Sequence, residues 1–331
     1  MKKMIAVTRT SLLSVRRLPA FSLIRGILIL ALAGCSARTA PNISPDGKPN
    51  VVATSTILAN LTQDIGGDEI HLTSILKPGS DPHVYEPIPA DSIAFEKANL
   101  ILYNGYHLEP GLIRLMDAAG LKAKKVAIGE VATPIQTQRA PDPHVWGSVQ
   151  NSILMVQAIR DTLSELAPED REIFTQNAAQ LIAELQRLDS WIKIQIATIP
   201  PAQRKLITTH DAFAYYARDY GLEISGTLIG ISTEEQPSAR TVKRLADTIK
   251  SAGVPAIFAE TTINPQLITA VAREAGTKIA PQSLYADSIG APGSDGDTYI
   301  KMLAANTRAI VEALGGTYTP LPQAEKINVP N

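Results

Sequence analysis

Cysteine is nearly absent from this chain: Cys35 is the only one in 331 residues. No intramolecular disulfide is available, so an oxidising compartment is permitted but not exploited. Histidine is scarce as well, with five residues, which makes the placement of each informative. Charged residues make up 19% of the chain against 45% apolar, the balance of a soluble globular protein and not of a disordered or membrane-embedded one. The apolar run GILILALAG at 26–34 is too short to span a bilayer, which takes about 20 apolar residues. Positive charge is also in short supply beyond the N-terminus. The first 34 residues hold six of the 31 basic side chains (Lys2, Lys3, Arg9, Arg16, Arg17, Arg25) and no acid, leaving 25 basic against 32 acidic, a net of −7. No basic patch remains to meet a nucleic acid.

What the N-terminus does contain is a basic stretch, then the apolar run, then the cysteine. These are the n-region and h-region of a secretory signal, and Leu32-Ala33-Gly34-Cys35 resembles the bacterial lipobox, where the signal is removed ahead of a cysteine that takes a diacylglyceryl group. Two or three acyl chains anchor a protein stably where one does not. We expect a lipoprotein signal peptide over 1–34 and lipidation at Cys35. A flexible tether follows over 35–49, where SARTAPNISPDGKP is rich in Pro, Ser, Asn and Gly and has no apolar periodicity. A secreted protein with an incidental cysteine is the alternative, disfavoured by the position of Cys35 at the end of the h-region. Arg16-Arg17 fits a twin-arginine signal poorly.

The length predicts two domains, because one core stops growing at roughly 250–300 residues. From Asn50 onward, strand-like runs alternate with helical patterns: VVATSTI (51–57), IHLTSIL (70–76), LILYNG (100–105) and KVAIGE (125–130), with helices near 58–66, 89–98 and 110–119. That alternation predicts a mostly parallel α/β layer. The stretch 169–199 has neither Gly nor Pro and spaces Phe174, Ala178, Leu181, Leu185, Leu188 and Ile192 by four and three, one helix with one apolar stripe. It amounts to a rod of about 45 Å at 1.5 Å per residue. A second alternation starts straight after it: KLITTH (205–210), EISGTLIG (223–230), VPAIFAE (254–260) and TKIAP (277–281), with helices at 211–220, 238–251, 264–275 and near 297–314. Asn264 and Pro265 open one of these helices and Gly276 closes it. The expected fold is therefore α/β, two similar βα-sandwich lobes (50–168 and 200–331) joined by one long rigid connector helix (169–199), with the functional site in the cleft.

Two of the five histidines sit in identical tetrapeptides, Asp81-Pro82-His83-Val84 and Asp142-Pro143-His144-Val145. Proline fixes its own φ and pushes the preceding residue into extended geometry, so each DPH projects its imidazole from a stiff backbone at an element end. Open α/β sheets gather their ligand sites at such ends. His210 closes the strand-like KLITTH of the other half, so three histidines from two lobes can converge on the cleft. Each is a metal ligand, a general base or nucleophile partner, or a packing residue. His71 alternates with apolar neighbours and is expected to face solvent. His107 is left outside the site.

The stretches KPGSDPHVYEP (77–87), YNGYHLEP (103–110), DPHVWGSVQN (142–151), THDAFAYYARDYGLEISG (209–226), STEEQPSA (232–239) and LYADSIG (284–290) resemble the zinc/manganese-binding solute-binding lipoproteins of ABC importers, the cluster A-I family, some of whose members are described as adhesins. The likeness runs from about residue 50 to the C-terminus with the motifs in the family's order. It implies one divalent ion, Zn²⁺ or Mn²⁺, held as cargo between the lobes by His83, His144, His210 and Asp287. The fourth position rests on the resemblance most heavily, since Glu260, Asp295 and Asp297 are close in sequence. Asp81 and Asp142 are candidate acceptors for the ring N–H groups. Three imidazoles and a carboxylate suit zinc, with manganese a competitor. The His-rich loop of some zinc-specific members is missing from IGEVATPIQTQRAPD (128–142).

The resemblance further implies an extracytoplasmic monomer, held to the membrane through Cys35, that delivers its ion to an ABC permease and its ATPase; no nucleic acid is involved. It is not expected to be an enzyme. The rival readings are a surface adhesin with an incidental metal and a zinc hydrolase, which needs an open coordination position that a fourth ligand would fill.

Overall fold

The computed structural model describes residue 44 and residues 46–322, apart from 120, 121 and 139. The expected signal peptide, Cys35 and most of the expected tether lie outside the described residues. Among the described residues no helix is long and apolar enough to cross a membrane.

The first lobe is a four-stranded parallel sheet in the order β2-β1-β3-β4, made of β1 (Asn50–Ala53), β2 (His71–Ser74), β3 (Leu100–Tyr103) and β4 (Lys124–Ala127). The crossovers are α1 (Thr56–Gly66), α2 (Pro89–Lys97) and α3 (Pro110–Ala119). Parallel neighbours demand such crossovers, and their helices bury the sheet on both faces. Central strands accordingly read as apolar runs: Val51, Val52, Leu100, Ile101 and Leu102 are buried.

The second lobe repeats this plan. Strands β5 (Lys205–Thr208) and β6 (Glu223–Thr227) pair in parallel, as do β7 (Ala256–Ile257) and β8 (Lys278–Ile279). The two pairs meet where the Phe258 amide donates to the Ile207 carbonyl at 2.9 Å, so the strands run β6-β5-β7-β8, the same permutation as in the first lobe. The helices are α6 (Ala214–Tyr220), α7 (Ala239–Ala252), α8 (Gln266–Ala275) and α9 (Tyr299–Ala313). Gly276, at φ 70°, closes α8 in the left-handed conformation that glycine adopts without steric cost. The runs VPAIFAE and TKIAP yield only a two-residue ladder, Ala256–Ile257 against Lys278–Ile279, with a separate bridge from Glu260 to Leu284.

After the first lobe's sheet come α4 (Val149–Leu166) and the long α5 (Arg171–Ala197). The connector predicted over 169–199 starts two residues later, after a 3-10 turn at Pro168–Asp170. Its stripe of Phe174, Ala178, Leu181, Leu185, Leu188 and Ile192 is buried along its whole length. It packs on α1, α4 and α9. One continuous apolar cluster therefore runs from Val51 in the first lobe through α4 and α5 to Ile310 in the second. Separating the lobes would expose that cluster at roughly 25 cal/mol per Å², so the two are joined by a shared core and not as beads on a rod.

Candidate metal centre

Four side chains meet where the carboxyl ends of both sheets face each other. His83 comes from the loop between β2 and α2, His144 from the loop ahead of α4, His210 from just beyond β5, and Asp287 from the loop before α9. Their exposures are 3%, 0%, 0% and 1%. One donor atom from each lies within 4.8 Å of all the others.

The spacing is that of a coordination polyhedron. His83 Nε2 stands 3.2 Å from His144 Nε2, His144 Nε2 3.4 Å from Asp287 Oδ1, and His210 Nε2 3.2 Å from Asp287 Oδ2, with His83 Nε2 4.0 Å from the same oxygen. Donors about 2.0–2.1 Å from a tetrahedral ion are about 3.3–3.4 Å apart. Two imidazole nitrogens facing each other at such a distance are repelled unless a cation or proton lies between them. His210 Nε2 and both oxygens of Asp287 have no hydrogen-bond partner although buried, an arrangement that costs about 1–3 kcal/mol per atom. A dication at the centre satisfies all three at once.

Each imidazole is aimed by its own support. His144 donates its backbone N–H (3.0 Å) and presents its ring Nδ1 (2.8 Å) to Asp142 Oδ1. Glu260 does the same for His210, taking the backbone N–H on Oε1 at 2.8 Å and the ring Nδ1 on Oε2. A carboxylate on Nδ1 holds the proton there and leaves the Nε2 lone pair pointing inward, the arrangement that orients metal-binding histidines. Asp81 departs from the expectation drawn from its sequence. Its Oδ1 accepts the His83 amide at 2.9 Å, but its Oδ2 accepts the Thr233 hydroxyl at 2.7 Å, so it is bound to the other lobe and not to the ring. Identical tetrapeptides differ here because Thr233 of the second lobe meets the side chain of Asp81, whereas the side chain of Asp142 is taken up by its own histidine.

The electrostatics favour positive charge at the centre. Burial pushes Asp287 upward, but the three imidazoles outweigh it and hold the carboxyl below its usual range. Burial lowers His210 too, yet Glu260 and Asp287 on either side raise it well above the ordinary histidine value. His83 has no carboxylate on its Nδ1, and desolvation outweighs the pull of Asp287 and brings it down to about 3. A cavity of about 540 Å³ opens nearby, lined by Asp211, Leu228, Gly230 and Arg244 among others. None of the four donors lines it, and the space they enclose is the size of an ion and not of an organic solute.

The remaining candidates fall elsewhere. Asp295 accepts the Tyr285 hydroxyl and Asp297 pairs with Lys301, outside the site. His71 is exposed and pairs with Asp46, and His107 is exposed in a left-handed turn at φ 58°. Sequence reasoning weighed Glu260 as a rival ligand and missed its place behind His210. It missed Thr233 altogether, as well as Asn104, which donates to the Pro143 carbonyl at 2.9 Å next to His144.

Two βα lobes on a packed helical spine, enclosing one ion-sized site at the mouths of their sheets, define the class of two-lobed solute-binding proteins. The chain belongs to the family described as zinc-uptake complex component A, periplasmic (ZnuA), whose profile matches residues 51–313. It is 33% identical over 296 residues to the manganese-binding lipoprotein MntA of Halalkalibacterium halodurans, covering 89% of this chain and 98% of that one. It is 34% identical over 278 residues to the zinc-binding protein TroA of Treponema pallidum, covering 81% and 90%. The solved structure of periplasmic zinc-binding TroA superposes with a TM-score of 0.78 at 32% identity, over 81% of this chain and 99% of that one.

Proposed function

We propose that this protein captures a divalent transition ion, Zn²⁺ or Mn²⁺, outside the cytoplasm and delivers it to an ABC-type permease, with His83, His144, His210 and Asp287 as its ligands. The observation that carries this reading is the convergence of four buried donors at 3.2–3.4 Å along three edges, with three of their atoms otherwise unpartnered. Relatives named for manganese and for zinc both lie near 33% identity. Three neutral imidazoles and one carboxylate leave a net charge near +1 with borderline-soft ligation, which zinc fits well; manganese is accommodated when Asp287 binds through both oxygens.

Signal removal at 1–34 and lipidation at Cys35 place the receptor on the outer side of a membrane, where it works as a monomer at the end of the 35–49 tether, between the permease and its ATPase on one side and free ions on the other. The lobes 50–168 and 200–331 act as ligand-bearing jaws about the 169–199 connector. Their shared core favours a small closure, so release comes from docking on the permease. Binding needs unprotonated Nε2 atoms, so affinity falls as pH falls through the histidine range. Four ligands leave no open coordination position for hydrolysis.

The test is expression of residues 36–331, elemental analysis of the purified protein, and competition of Zn²⁺ against Mn²⁺ in titration. One equivalent of ion per chain is expected; material that takes up neither ion rules the reading out.

A further inference from the structure

The two DPHV tetrapeptides are held in different ways. The His144 segment is pinned throughout: Tyr215 donates its hydroxyl to the Asp142 carbonyl (2.7 Å), Asn104 donates to the Pro143 carbonyl (2.9 Å), and the Trp146 indole donates to the Ala286 carbonyl (2.9 Å). Val145 is fully buried, whereas Val84, its counterpart, is 48% exposed. Beyond Val84 the chain is braced within the first lobe, where Asp91 accepts from the Tyr85 hydroxyl and the Ile88 amide. A Cβ on Gly111 would stand 2.6 Å from the Tyr85 carbonyl. Between these braces and β2, residues 79–84 meet the second lobe, among the described residues, through two hydrogen bonds: the Gly79 amide to Ser288 Oγ (2.8 Å) and the Thr233 hydroxyl to Asp81 Oδ2 (2.7 Å).

We propose that Thr233 is a positioning residue for His83, acting through Asp81, and that this contact between the lobes governs how long the captured ion stays. It rests on the metal-receptor reading above. Asp81 is the link: one oxygen holds the His83 backbone and the other is held by Thr233, 152 positions away in sequence. An ion leaves an enclosed four-ligand site by losing one ligand first, and among its three imidazoles the first to go is the one whose backbone and ring are least restrained. His144 and His210 each have a carboxylate on both backbone and ring; His83 has one on its backbone alone. Thr233 is itself buried and Asp81 half-buried, so this bond between the lobes is partly shielded from water.

The test is T233V against T233S in the 36–331 protein. Loss of a hydroxyl donor to a carboxylate corresponds to roughly a ten-fold effect. Zn²⁺ release into excess chelator, followed by stopped flow, is expected to be about ten-fold faster in T233V and within about two-fold of the parent in T233S. Amide hydrogen exchange of the metal-free protein supplies a readout that needs no ion: T233V should speed exchange over 79–84 and leave 142–147 unchanged. Equal exchange in T233V and parent at 79–84 overturns the proposal whether or not the protein binds metal. So does an unchanged release rate, and so does faster exchange spread equally over both segments, which marks a general loss of stability. A parent that binds no ion overturns the receptor reading instead and leaves the exchange result to decide the positioning role.

Discussion

The two copies of Asp-Pro-His-Val are the same four residues in two different environments. Each follows proline into the site and each aims an imidazole at the same centre. In the second copy Asp142 grips both the backbone and the ring of its histidine, and Val145 is core. In the first copy Asp81 grips the backbone only, reaches across to Thr233, and leaves Val84 at the surface. A motif therefore specifies what a residue can do, while its surroundings decide how firmly it does it.

The comparison breaks first at the histidines themselves. Replacing His83, His144 or His210 with Ala is expected to lower metal affinity by more than about 100-fold, beyond the range of a residue that only supports a ligand. Chelator competition measures it, and a His144→Ala protein that still binds within ten-fold of the parent would remove the second copy from the site.

The supporting carboxylates come next. Asp142→Asn weakens the hold on the His144 ring and is expected to cost about 10–100-fold in affinity. Asp81→Asn touches no ring nitrogen, so its equilibrium effect should stay under about ten-fold and appear mainly in the release rate. Equal losses in both would erase the distinction between the copies.

Glu109 sharpens it from below. This buried carboxyl accepts from the Asn104 amide (2.7 Å) and the Thr54 hydroxyl (2.8 Å), and Asn104 in turn holds Pro143. Burial pushes it up to about 7 from an ordinary 4.5. Because the folded state holds this proton more tightly than the unfolded chain, its contribution to stability is full below pH 4.5 and is lost as pH rises through 7. Glu109→Gln keeps the accepting oxygen and cannot ionise. Denaturant titration of the metal-free protein should find it more stable than the parent by on the order of 3 kcal/mol at pH 8 and equal near pH 4.

Smaller effects separate the two valines. Val145→Ala should cost roughly 1.5–2 kcal/mol of stability, from two lost buried methyl groups and the space they leave, whereas Val84→Ala should fall within about 0.5 kcal/mol. His71→Ala, on the exposed edge strand, should leave metal affinity unchanged.

Much of the architecture was legible. The alternation of apolar runs and helical stripes gave both sheets, and the Gly- and Pro-free stretch with its 4-3 spacing gave α5 to within two residues at its start. What could not be read was how short β7 and β8 are, or that α5 is a packed spine shared by both lobes and not a bare rod. Those depend on where strands leave the ladder and on which neighbours cover a helix, neither of which leaves a periodic mark. At the site, the repeated tetrapeptide pointed to His83 and His144 from the residues themselves, whereas Asp287 needed a resemblance to be chosen over Glu260. Both are carboxylates near a strand end. They differ in that Asp287 has both oxygens turned to the imidazole Nε2 atoms and Glu260 turns to the far side of His210. Thr233 carries no chemical signal of its own, being one hydroxyl in a polar loop.

The sequence alone settles the donor types, the stiffness of the two DPH turns and the βα rhythm, because these follow from side-chain chemistry, proline geometry and local period. Only the tertiary structure decides which carboxylate faces the centre, which stands behind an imidazole and which bridges the lobes. Apart from Asp142, two positions from the imidazole it supports, those roles depend on contacts between residues 50 to 204 positions apart, brought together by the burial of one core along α5 and not by anything written next to them in the chain.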